Sequence, residues 1–93
     1  MIYIVEVEMA GGATHQHIAK LLWVDGDERA WATRQQMVDF LGDQSNHAYV
    51  HNGAGQVEVF AVLHANPQFV RTHRDGTPTD NLLYLPGGPY YRG

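Results

Sequence analysis

The chain lacks cysteine altogether, which removes disulfides, thiolate metal sites and cysteine nucleophiles from consideration. Lysine and serine occur once each, as Lys20 and Ser45. Six Lys/Arg against ten Asp/Glu give a formal charge of −4, and binding to phosphate backbones draws on the residues that are scarce here. Nucleic acid is therefore not an expected partner, and only a cluster of Arg29, Arg34, Arg71 and Arg74 would reverse that expectation. No apolar run approaches the roughly 18 residues of a membrane span. Met1-Ile2-Tyr3-Ile4-Val5-Glu6 has no basic leader, so the expected location is the cytoplasm.

The solitary Ser45 has none of the glycine-flanked setting of a nucleophile elbow. Ala10-Gly11-Gly12-Ala13 follows an apolar stretch but is not completed by the Gly-Lys-Ser/Thr ending of a phosphate loop. What remains is 44% hydrophobic residues, 17% charged residues and six histidines in 93 positions, the composition of one small folded domain. A chain this short buries only about 60–65% of its unfolded surface, and a dimer interface would add to its stability.

Alternation sets the strands. Ile2 to Met9 carries Tyr3, Val5, Val7 and Met9 in one phase and Ile4, Glu6 and Glu8 in the other. His17 to Val24 forms a second strand, with Ile18, Leu22 and Val24 on one side and Ala19, Leu21 and Trp23 on the other. Apolar residues on both sides mark a central strand or an interface. Asp25-Gly26-Asp27 is a turn. Thr33 with Gln36 three residues on has the spacing of a capping box, Met37, Val38 and Leu41 make a helical stripe, and Gly42 ends it. Ala48–His51 and Gln56–His64 flank Asn52-Gly53-Ala54-Gly55 as a hairpin, and Phe69–His73 follows the Asn66-Pro67 turn. The expected fold is α+β, an antiparallel sheet of about five strands in ββαβββ order with one helix on one face. The domain is expected to span residues 1–86, with 87–93 a flexible Gly/Pro/Tyr-rich tail.

Three constellations could carry function. His15 and His17 would share one face of an extended segment and could hold a metal, with His73, Asp75 or Asp80 as the third ligand. The Thr72–Asn81 segment is dense in turn chemistry: Gly76 follows Asp75, Thr77 precedes a proline, and Asn81 can bond the backbone. A polar ligand held by His73, Asp75, Asp80 and a neighbouring arginine is the functional counterpart of that structural reading. Third, His47, Tyr49 and His51 line one side of a short strand and, with Phe60 and Tyr84, suggest an aromatic surface.

Three segments together resemble a known family: Tyr3-Ile4-Val5 leading to Gly11-Gly12-Ala13-Thr14-His15-Gln16-His17-Ile18, then Met37-Val38-Asp39-Phe40-Leu41, and Arg71-Thr72-His73-Arg74-Asp75-Gly76-Thr77 with Asp80-Asn81-Leu82-Leu83-Tyr84-Leu85-Pro86. They are similar to an uncharacterised family of small single-domain bacterial and phage proteins bearing HxHI and TxxDGTxxDNLLxLP motifs. The resemblance implies a stand-alone domain whose hallmark segments are these motifs, and it implies no activity. The resulting expectation is a non-enzymatic binding or interaction module without cofactor, homodimeric or bound to a protein partner through Trp23, Leu21, Phe60 and Tyr49. The alternative is a metal-dependent or acid–base enzyme using His15, His17, His73, Asp75 and Asp80.

Overall fold

The sheet is built around its first strand, β1 (Ile2–Met9), which pairs antiparallel with β2 (Ile18–Asp25). The computed structural model describes residues 1–51, 55–72 and 82–91. Beyond β2 lies β3 (Glu28–Thr33), followed by helix α1 (Arg34–Gly42) and strands β4 (Ala48–His51), β5 (Gln56–Val62) and β6 (Phe69–Thr72). The six strands stand in the order β3-β2-β1-β4-β5-β6, a small α+β domain with a mixed sheet and a radius of gyration of 12.1 Å.

This corrects the five-strand antiparallel expectation in two linked ways. The stretch Glu-Arg-Ala-Trp-Ala-Thr is a strand that period-2 hydrophobicity cannot reveal. It occupies the sheet edge, where five of its six residues are exposed. Gly26, at φ 61, sits at the first central position of the two-residue β2–β3 turn, the placement found in II′ hairpins. The added strand reverses the chain once more before the helix. Consequently β3 and β4 run in the same direction, α1 is the crossover between them, packed on β2, β3, β5 and β6, and β4 pairs parallel with β1 at Ile2↔Ala48 and Tyr3↔Tyr49.

Two bulges set which residues meet the helix. The β1–β2 register skips between Ile4 and Glu6 and again between Glu8 and Met9, leaving Val5 and Ala19 as the extra residues. Ile4 and Val7, three apart, thus join one buried cluster, as do Ile18 and Leu21. Neither pairing follows from uninterrupted alternation. Met37 and Val38 of α1 close this core over Ala48, Val50, Val59 and Val70, each large buried side chain contributing about 1.5–3 kcal/mol.

The helix begins as its sequence requires. Thr33 Oγ1 accepts from Gln36 N at 3.1 Å and Gln36 Oε1 accepts from Thr33 N at 2.8 Å, so two end donors are satisfied reciprocally. Beyond the helix, Asp43 accepts from Ser45 N at 2.9 Å and Ser45 Oγ at 2.7 Å. The backbone bond first, and then the hydroxyl, hold its carboxyl below the ordinary 3.8.

The residues leading out of the domain return to β1. Leu82 and Leu83 are in the core, Val7 N donates to Pro86 O at 2.9 Å, and Tyr90 N donates to Leu83 O at 3.1 Å. Past Tyr3 no further β1–β4 pairs form, and the Pro86 carbonyl supplies the partner that Val7 N–H would otherwise lack.

One core group is unbalanced. Thr72 is fully buried and its hydroxyl has no hydrogen-bond partner among the described residues. Thr72→Val keeps the branched shape and removes the stranded polar atom. It should stabilise the domain by about 1 kcal/mol, read as a higher urea midpoint at unchanged m-value.

Candidate functional site

The only α-helix among the described residues covers one side of the sheet, and the strand side chains out of phase with that core point to the opposite face. The register runs Arg29↔Val24↔Tyr3↔Tyr49↔Glu58 across five strands. At a strand spacing of ~4.8 Å that row is about 19 Å long. It has an arginine at one end, a carboxylate at the other and two tyrosines in the middle.

Tyr3 is the centre of this face. Its ring stacks on His51 with centroids 4.1 Å apart and planes at 13°, and lies 6.3 Å from Tyr49. Its hydroxyl donates to Gln56 Oε1 at 2.8 Å, which fixes the ring between β1 and β5. Next along, His47 Nδ1 and Glu58 Oε2 are 2.7 Å apart. Phe60, opposite Arg71, extends the surface toward β6 and is 40% exposed. At the other edge Trp31, opposite Leu22, is 45% exposed. Leu22 itself is only 5% exposed yet lies outside the helix-side cluster.

The four residues expected to form one interaction face are divided by the sheet. Tyr49 and Phe60 are on the open side. Leu21 is fully buried against the helix, and Trp23 packs on the same cluster. The bulge at Ala19 is the reason that Ile18 and Leu21 turn inward together. Tyr84, also read as part of an aromatic surface, instead has its ring 5.5 Å from Tyr90 in the C-terminal segment.

His15 and His17 stand on a single 3-10 turn (His15–His17), not on an extended strand, so two-residue alternation does not align their rings. His17 Nδ1 is 2.8 Å from Thr14 Oγ1, and its ring occupies the space beside Gly12, where a Cβ would come within 2.6 Å. His15 lies 5.9 Å from the Phe69 ring. Arg34 Nη1 donates to the Gln16 carbonyl at 2.5 Å and ties this turn to the start of α1. Among the described residues no three His, Asp or Glu side chains form a group able to hold a metal. His73, Asp75, Gly76, Thr77, Asp80 and Asn81 lie outside the described residues.

Tyr3, Gln56 and Glu58 are not singled out by the sequence as site residues, and Arg29 is named there only as one of four arginines that could cluster. Tyr3 is out of phase with Ile4, which does place it opposite the core. Its neighbours, however, come from the parallel β1–β4 pairing, which no local pattern encodes. No helix among the described residues is long and apolar enough to cross a membrane.

Fold and surface together define a small α+β domain with one layered and one open sheet face. No family model, curated protein or solved structure matches this chain.

Proposed function

We propose that this chain is a small binding module that associates with a second copy of itself through the open face of its sheet. The observation that carries this reading is the row Arg29–Val24–Tyr3–Tyr49–Glu58. Its two ends bear opposite charge and its middle is aromatic. A two-fold axis near Tyr3 sets the Arg29 end of one row over the Glu58 end of the other, and isologous interfaces require this self-complementarity. Arg29 has no ion-pair partner among the described residues. Tyrosine and arginine are also the residues that interface centres favour.

Charge reversal tests the register. The untagged protein should be a dimer by native mass spectrometry and light scattering at roughly 10–100 μM, with Kd in the micromolar range. Arg29→Glu and Glu58→Arg should each weaken the dimer by about tenfold through like-charge contact, and the double variant should regain most of that loss. A wild-type monomer across that range would end the proposal. Single variants with unchanged dimerisation would move the interface elsewhere.

A further inference from the structure

On the helix side of the sheet, between β3 and α1, is an open cavity of about 450 Å³. Its origin is visible in the strand. Ala30 and Ala32 of β3 face Trp23 and Leu21 of β2, and their methyl groups leave empty the volume that valine or leucine would fill. Met37 and Phe40 of α1 close the far wall, and Trp31 borders the hollow at the sheet edge. The size falls within the range of small-molecule sites, which are apolar with a few placed polar groups.

The polar groups here are of one sign. Asp25 and Glu28 line the cavity and stand directly opposite each other in the β2–β3 register. Like charges so placed repel, and among the described residues neither lysine nor arginine lines the cavity to offset them. Asp25 already holds a cation: its Oδ1 is 3.1 Å from the Met1 ammonium. Glu28 has no ion-pair or hydrogen-bond partner among the described residues. A carboxylate beside indole and phenyl rings favours a positive charge carried on an apolar body, since the aromatic faces attract the cation that the carboxylate neutralises.

We infer that this cavity is a binding site for a small organic ammonium ion, its apolar body seated on Trp23, Ala30, Met37 and Phe40 and its charged nitrogen directed to Glu28. The cavity opens on the helix side of the sheet, only Trp31 of its lining also bordering the opposite face, and the assignment does not depend on the proposed dimer. Trp23 and Trp31 are the only tryptophans in the chain, and both line the cavity, so intrinsic fluorescence reports on its occupancy.

The experiment is a fluorescence titration of the untagged protein at pH 7 with phenethylamine, set against its neutral analogue 2-phenylethanol. Far-UV circular dichroism checks that the variants are folded. Phenethylamine should give a saturable change below ~10 mM, with 2-phenylethanol about tenfold weaker. Glu28→Gln, a change at an exposed edge position, should weaken phenethylamine by roughly three- to tenfold. Ala30→Leu should fill the hollow and abolish saturation. Absence of a saturable change in the wild type, equal affinity for the neutral analogue, or undiminished binding in Ala30→Leu would each overturn the assignment.

Discussion

Gly87→Ala should lower the unfolding free energy by about 2–4 kcal/mol. Gly87 sits at φ +85, and a Cβ there would lie 1.8 Å from the Val7 carbonyl oxygen. That neighbour is backbone in a central strand and cannot swing aside. An alanine held in the left-handed region costs about 1–2 kcal/mol, and the clash forces it to move as well. In moving it must also release the Pro86 carbonyl from Val7 N, a bond worth about 0.5–1.5 kcal/mol. Gly26→Ala separates the two causes, because φ there is +61 but nothing lies within 4 Å of the added carbon. It should cost only the backbone term, about 1–2 kcal/mol. Urea unfolding of both variants decides between this account and a loose tail from residue 87. A loose tail would leave Gly87→Ala within about 0.5 kcal/mol of the parent protein.

Composition alone made the last seven residues look unstructured, because Gly-Gly-Pro-Tyr-Tyr has no period. What gives Gly87 a role is a long-range contact with β1, and no local pattern carries that information. The same distinction runs through the fold. The helix was legible to the residue at its start, because Thr33 and Gln36 interact within one turn. The β4–β5 hairpin and the β6 segment were legible for the same reason, each being bounded by local turn chemistry.

Edge strand β3 was not legible, since exposure on both sides removes the alternation by which strands are recognised. Its discovery changes the parity of the chain path, and with it the direction in which β4 meets β1. His17, expected to open the second strand, instead ends the 3-10 turn His15–His17, because it continues into that strand without a break. Of the surface now proposed as the interface, Tyr49 and Phe60 were legible from alternation. Tyr3 and its partner across the parallel pair depended on topology. Leu21 and Trp23 share a phase as alternation implies, and the extra residue at Ala19 brings Ile18 to the same side. Which apolar face of β2 meets the helix is set by packing, and it is theirs.

That last point has a direct test, because Leu21 and Leu22 are adjacent, identical in chemistry and both almost inaccessible at 0% and 5% exposure. Leu21 is enclosed by β1 and the helix-side core, so Leu21→Ala leaves a cavity with little means of collapse and should cost about 3–5 kcal/mol. Leu22 is out of phase with Leu21 and lies outside the helix-side cluster. In an isolated protomer, Leu22→Ala lets its neighbours settle or admits water, and should cost about 1–2 kcal/mol. Measured at low protein concentration by urea unfolding, the two substitutions should therefore differ by about 2 kcal/mol or more. Equal large losses would mean that something else covers the open face within the protomer. Self-association adds a second signature. If the open faces meet, the stability of the parent rises with protein concentration through mass action, and Leu22→Ala, lying beside the central row, should weaken that dependence while Leu21→Ala leaves it intact. A Leu22→Ala loss that grows with concentration, beside a constant Leu21→Ala loss, would tie the covering of Leu22 to a second copy of the chain. A loss that stays constant for both would confine Leu22 to the packing of one protomer and remove it from the interface.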